Sequence, residues 1–455
     1  MKRQVALSLI ALFASTAQAQ YDPNTVLTKA IADLLYEPKG VSTRTTYSIP
    51  ANWPGFWGDF TVFETGSGAF TIDLNPLSLR PPSAHTYTVY YVDPISGSDQ
   101  NSGATKQSAL RKLSMAVSKP GNKWILCRPG VFDFRTCWGG IASVGNIVIE
   151  PWDESGYVIS SSQMDNLNWQ SDDGIFTSAT STSTVQVIDE QFSDVYGVGT
   201  YLVKVTSVAA VRETPGSYYS ESKRVWVNRS NGAAPDGQLL LFASTQNGLV
   251  QSGQVWLRRC VFLGGANTFS ASLPADAELT FSDCWFKYAT SGDGLAVSGP
   301  GKVNSLFCWS LGNKDDGFDY RGGLRFLDVA NVSVANGVQG AKESSGLVAF
   351  DSTTGIVVNG IYRSNFGPNV TATGNSSLLL FGSTIGQSGA SGSSSVDLRI
   401  GQGASDASQG WALGINYDAG STYCRSVAPT STVWYRKHRD LRPDIFGAQN
   451  RIRPI

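Results

Sequence analysis

Four aspartates and one lysine recur at matching places along this chain. Cys260, Cys284 and Cys308 stand 24 residues apart, and each opens a similar phrase: Cys260-Val-Phe-Leu-Gly, Cys284-Trp-Phe-Lys-Tyr and Cys308-Trp-Ser-Leu-Gly. A further step of 24 reaches Val332. Counted from that column, Asp293 lies 9 residues on, Asp315, Asp316 and Asp319 lie 7, 8 and 11 on, and Lys342 lies 10 on. Asp and Gly are ordinary turn residues, so Asp315-Asp-Gly alone reads equally as a turn. The matching Asp293 one period earlier shifts the reading toward a site. Four carboxylates in one patch repel strongly unless a cation sits among them. Hard oxygens in that number suit Ca²⁺, which takes about 6 to 8 of them. No thiolate or imidazole cluster suits zinc, and His85 and His438 belong to no ligand motif.

Residues so far apart in sequence share a patch only if the chain coils on itself. A fixed period filled with short apolar runs and Gly/Asn/Asp/Ser turns predicts a solenoid. Neighbouring parallel strands are roughly 4.8 Å apart, so positions one period apart become neighbours. The cysteines then stack in one buried column, where thiols pack as small apolar groups without bridging. The expected fold is all-β, a parallel β-helix of roughly ten to twelve coils spanning residues 87–435. Strands are predicted at Asn146–Glu150, Val185–Ile188, Tyr201–Val205, Arg224–Val227, Gln238–Phe242, Gly355–Asn359, Ser377–Phe381 and Val396–Ile400. Residues 160–220 fit the period poorly and read as a long side loop. Ser108–Val117 has helical spacing and precedes Lys123-Trp-Ile-Leu-Cys-Arg-Pro-Gly-Val-Phe132, a strand, a turn and a strand. A short helix there serves as a cap, because an open sheet edge invites pairing with other chains.

The flanks carry other information. Lys2 and Arg3, the apolar run Val5–Ala14 and Ala17-Gln-Ala19 form a secretory leader over residues 1–19, with cleavage expected after Ala19. The run is too short to span a bilayer, so the mature protein is expected to be secreted or periplasmic. Residues 20–86 form an N-terminal extension. In it Thr25–Tyr36 has helical spacing, and the aromatic stretch Trp53–Phe60 reads as a small packed unit or a cover for the solenoid. Cys127 and Cys137 are close enough in sequence to bridge in an oxidising compartment. Residues 436–455 are a basic closing segment. A formal net charge of −1 argues against a nucleic-acid binder or a polybasic membrane protein. Nothing in the chain calls for an oligomer, and a monomer is expected.

The run Ser291-Gly-Asp-Gly-Leu-Ala296, Asn304, Cys308, then Asn313-Lys-Asp-Asp-Gly-Phe-Asp319 resembles the centre of polysaccharide lyase family nine. Its members are right-handed parallel β-helix pectate lyases and their relatives, and the helix before the first coils is similar to their N-terminal cap. The resemblance implies that Asp293, Asp315, Asp316 and Asp319 bind one Ca²⁺. It also implies a catalytic lysine on the following coil, which falls on Lys342 in Asn336-Gly-Val-Gln-Gly-Ala-Lys342-Glu-Ser-Ser-Gly346. Close likeness covers only residues 291–346, and the family's Leu-Gly-Gly after the lysine is replaced here. The implied activity is β-elimination of an acidic, uronic-acid-containing polysaccharide, with Lys342 as base. Arg321 and Arg363 are placed to hold substrate carboxylates. Two other readings fit the residues. Paired aspartates also serve glycoside hydrolases, and an exported β-helix can be a non-catalytic adhesin or glycan-binding protein.

Overall fold

A computed structural model describes residues 44–47, 50, 53, 55, 60–65, 70–74, 79, 86–133, 141–143, 145–153, 156–164, 167–244, 248–251, 253–337, 344–388, 396–418, 423–436, 445–446 and 451–454. Among them, three parallel sheets of 12, 9 and 10 strands run side by side. One coil contributes a strand to each in turn: Lys302–Leu306 to the first, Trp309–Leu311 to the second and Phe318–Arg321 to the third. Successive coils pair in register, for example Lys302 with Arg325 and Phe318 with Leu347. This is the parallel β-helix that the sequence period predicts. The leader, the helical spacing at Thr25–Tyr36, Cys137 and Lys342 lie outside the described residues.

Alternation along each strand divides core from surface. Val303, Phe318 and Tyr320 enter one long interior cluster, whereas Leu306 faces outward. Like side chains stack from coil to coil, as in Phe262 on Phe286 (5.5 Å between centroids) and Trp285 on Trp309 (4.8 Å). Cys260, Cys284 and Cys308 form the expected buried column of unbridged thiols. The next rung differs from expectation. Trp309 pairs with Val332, so Cys308 stands opposite Asn331, whose Oδ1 accepts its N–H at 2.9 Å. That coil is one residue shorter because it dispenses with a residue in the turn.

The turn from the first sheet to the second is made by single left-handed residues: Arg259, Asp283, Phe307, Ala330, Asn359 and Gly382. One such residue reverses the pleat sharply enough to start the next strand. The first edge is closed by the short helix Leu113–Val117, whose Leu113, Ala116 and Val117 are buried in the main core.

Two additions cover the outside. Strands Arg44–Thr46, Thr61–Thr65 and Phe70–Asp73 form an antiparallel sheet laid over the first sheet. Phe60, Val62 and Phe70 pack there with Leu306, Leu327 and Phe381, and Trp53 meets Trp411 edge-on at 5.0 Å. Trp53 and Phe60, the aromatic residues of that stretch within the described residues, thus cover the solenoid. The second addition is larger than the expected side loop. Gln186–Ser193, Arg224–Asn228 and Leu239–Phe242, all read as array strands from sequence, belong to two separate sheets of an inserted lobe. Their apolar runs look like coil strands, but Gln186–Ser193 pairs antiparallel with Leu239–Phe242, and Arg224–Asn228 pairs antiparallel with Ile175–Ala179 and Ser217–Glu221. One lobe sheet seats Ile188, Val198, Leu240 and Phe242 against Trp309, Leu311, Val332 and Val334 of the solenoid. Lys287 Nζ and Tyr288 OH both donate to Glu190 Oε1, at 2.9 and 3.0 Å, across the same junction.

Candidate metal centre

The acidic residues sit where the second sheet turns into the third. Asp293 lies between strands Trp285–Lys287 and Leu295–Ser298, and Asp315 and Asp316 lie in the same connection one coil later. Phe318 and Tyr320 fill the core, so alternation sends Asp319 and Arg321 to the outer face.

The backbone here is fixed by an internal ladder of amides. Asn313 Nδ2 donates to Asn336 Oδ1, Asn336 Nδ2 to Asn365 Oδ1 and Asn365 Nδ2 to Asn369 Oδ1, each at 2.9 Å. Asn313 and Asn336 also hold Ser310 and Ser333, whose hydroxyls donate to the carbonyls of Gly317 and Gly346 at 2.8 Å. The glycines after the acidic residues are required by this packing. A Cβ on Gly294 would lie 2.2 Å from Ser310 Oγ, and one on Gly317 would lie 1.9 Å from Ser333 Oγ. The Asp-Gly pairs therefore combine a ligand-type side chain with a backbone that passes close over the ladder.

Asp293, Asp316 and Asp319 are buried, and one carboxylate oxygen of each lies within 4.8 Å of the others. Asp293 Oδ1 accepts the N–H of Asp316 at 3.0 Å, and Asp316 Oδ1 accepts the N–H of Ser345 at 2.6 Å. Asp293's own N–H is held by Asn267 Oδ1 at 2.8 Å. Asp319 ion-pairs with Arg321 through Oδ2, while its buried Oδ1 has no hydrogen-bond partner. Burial, then the neighbouring carboxylates, push the acids of Asp293 and Asp316 well above the usual range. Burial raises Asp319 too, against the pull of Arg321. Asp315 stands apart from the close trio at the rim. Its Oδ1 accepts Ser344 Oγ at 3.1 Å, and its charge still acts on the other three.

Three hard oxygens with this geometry fit a hard divalent cation, and a buried carboxylate oxygen without a donor is what such an ion would satisfy. Asp293, Asp315, Asp316 and Asp319 with Arg321 carry a formal charge of −3. One divalent ion would leave a single negative charge.

The remaining candidates fall elsewhere. Arg321 is half-exposed and already held by Asp319. Arg363 is in register with Val334, itself opposite Leu311, so it sits two rungs beyond the coil of Asp316. Lys342 is undescribed; the described chain resumes at Ser344, two residues on, where Ser344 and Ser345 contact Asp315 and Asp316. Asn304 is remote from the acids and donates to Glu278 Oε1 and Thr280 Oγ1 at 2.7 and 3.0 Å. Sequence reading missed Asn267, Asn336 and Ser345. The only signal for them is their place one coil before or after an identified residue.

No protein-family model and no curated protein matches this chain. A solved structure described as a glycoside hydrolase matches with TM-score 0.51 and 8% identity, over 80% of this chain and 96% of that one. At this identity the likeness establishes the fold. A structure of XylC with xylose matches with TM-score 0.48 and 10% identity, over 76% of this chain and 68% of the other. Pectate lyase Pel9A matches with TM-score 0.37 and 11% identity, over 81% and 79% respectively.

Proposed function

We propose that this protein is an exported, glycan-active β-helix that binds Ca²⁺ through Asp293, Asp316 and Asp319, with Asp315 at the rim. Its substrate is a uronic-acid-containing polysaccharide, cleaved by β-elimination. The observation that carries the reading is Asp319 Oδ1, buried without a partner in a trio of carboxylates whose oxygens lie within 4.8 Å. The fold likeness to a glycoside hydrolase is in keeping with a glycan ligand. Export rests on the N-terminal leader, and no helix among the described residues is long and apolar enough to cross a membrane.

When bound, Ca²⁺ neutralises the uronate carboxylate and lowers the cost of the charge that develops as the C5 proton leaves. Asp293, Asp316 and Asp319 hold the cation, and the amide ladder keeps their turns from moving. Lys342 takes the C5 proton on Nζ. The freed electron pair forms the C4–C5 double bond, the C4–oxygen bond breaks, and the departing oxygen takes its proton from water. An amine with an ordinary pKa of about 10.4 is mostly charged at neutral pH. A cation beside it favours the neutral form that accepts a proton. Arg321 keeps N–H donors beyond those used by Asp319, and these orient a substrate carboxylate. Arg363 serves a second carboxylate further along the coils. The test is an absorbance assay for the unsaturated uronate over pectate, alginate and other acidic polysaccharides. Absorbance should rise with Ca²⁺ and stay flat with chelator.

A second reading has one observation in its favour. Carboxylate oxygens within 4.8 Å of one another are closer to the short spacing of a retaining glycosidase than to the wide spacing of an inverting one, and the raised acids of Asp293 and Asp316 suit a proton donor. Chelator-resistant cleavage with no unsaturated product selects it over the lyase.

A further inference from the structure

The outer sheet of the inserted lobe carries a second constellation, well away from the acidic turn. The lobe is layered. Its inner sheet packs on the solenoid, and Tyr218, Val225 and Val227 of its outer sheet pack on that inner sheet through Val187, Leu239 and Leu241. Alternation then turns Tyr219, Arg224 and Trp226 to the far side. Register aligns Gln170, Thr177, Trp226 and Tyr219 in one row across four positions of that face. The Trp226 and Tyr219 rings stack with centroids 5.7 Å apart, and the exposed Arg224 guanidinium lies 6.0 Å from the Trp226 centroid. Helix Val208–Glu213 covers one end of the face, tied down by Asn228 Nδ2 donating to Val211 O at 2.9 Å. Beside the row a cleft of about 180 Å³ opens, lined by Asn168, Gln170, Thr177 and Arg224 among others.

We infer that this face is a non-catalytic binding site for an acidic glycan chain. A paired aromatic surface offers the apolar face of a sugar ring a flat partner. The exposed amides of Asn168 and Gln170 beside it match sugar hydroxyls, and a few polar groups in an otherwise flat site set orientation. Arg224 presents a planar fork to a uronate carboxylate. Glu221 stands opposite Arg224 on the same face and acts on Tyr219, so the site has a negative boundary beside its arginine. Bound here, a long polymer stays near the acidic turn, so its effective concentration there rises. The choice of a uronan rests on the function proposed above; the site itself does not.

The experiment is binding of pectate or alginate by affinity electrophoresis in chelator, which silences the acidic turn. The wild-type protein and Asp316→Ala should be retarded alike. Trp226→Ala and Arg224→Gln should each bind about tenfold more weakly, a difference of about 1.4 kcal/mol. Turnover of short soluble oligosaccharides should be unchanged in both. A melting curve checks folding, and Tyr219→Ala replaces Trp226→Ala if that variant melts early. Unchanged binding in the lobe variants overturns the proposal, as does equal retention on a neutral glucan. Loss of all binding in chelator overturns it while leaving the acidic turn's role standing. Binding through the lobe with no unsaturated product in any assay leaves this site intact and removes the lyase.

Discussion

Aspartate is buried in two different ways in this molecule. Asp328 sits alone inside the solenoid, fully buried, with Tyr320 OH donating to its Oδ1 at 3.0 Å. Burial pushes its acid up to about 8, against the pull of Tyr320, Asn331 and Tyr362. At neutral pH it resolves its burial by keeping its proton. Asp293, Asp316 and Asp319 are crowded together at a turn, where burial and mutual repulsion act at once. There one oxygen of each residue lies within 4.8 Å of the others, and on the function proposed above a cation would relieve the crowding. A lone buried acid thus differs from a cluster, and the two call for different tests.

The comparison breaks most visibly at Asp316. Asp316→Ala should abolish activity and weaken Ca²⁺ by more than about 100-fold, since even outer-shell partners cost 10–100-fold. Isothermal titration with Ca²⁺ and the absorbance assay read both. Lys342→Ala sharpens the division of labour. It should lower kcat by about 10² to 10⁴, the usual worth of a positioned base, with Ca²⁺ affinity unchanged. Full activity in that variant moves the base elsewhere.

Asp328 should respond to protons instead. Its folded acid is weaker than the unfolded one, so its contribution to stability is complete below the unfolded value of 3.8 and lost as pH rises toward about 8. Each unit across that window should remove about 1.4 kcal/mol. Denaturant melts of Asp328→Asn should lack this component of the slope; an identical slope in both proteins refutes the assignment. The smallest effect expected is at Gly317. Gly317→Ala forces a methyl against Ser333 Oγ, and overpacking of this kind costs about 1–3 kcal/mol. Its Tm should fall, and Ca²⁺ affinity should fall with it if the ladder holds the turn.

The regular coils were the legible part of the chain. Cys260, Cys284 and Cys308 disclosed the period, and strands Ser377–Phe381 and Val396–Ile400 lie where their apolar runs put them. Counting placed Asp293 within one residue of the register of Asp316, and the shorter connection between Trp309–Leu311 and Phe318–Arg321 brings the two level. The inserted lobe was not legible, because Val185–Ile188 and Arg224–Val227 look locally like coil strands. Only their pairing partners, Leu239–Phe242 for the first and Ile175–Ala179 and Ser217–Glu221 for the second, reveal that they belong to other sheets. The separation of Asp315 from the trio was hidden for a different reason. Two adjacent residues share a register, and side-chain direction at a turn depends on contacts such as Ser344 Oγ. The amide ladder was invisible because its rungs, Asn313, Asn336, Asn365 and Asn369, are unevenly spaced.

The carboxylate trio is tested most directly by thermal melting with and without Ca²⁺, comparing wild-type protein with Asp316→Asn. An ion that binds only the folded state adds about 2.7 kcal/mol at 100 times its Kd. The account predicts a clear rise in Tm for the wild-type protein, reversed by chelator and absent in the variant. A wild-type Tm indifferent to Ca²⁺, or an equal rise in Asp316→Asn, contradicts it.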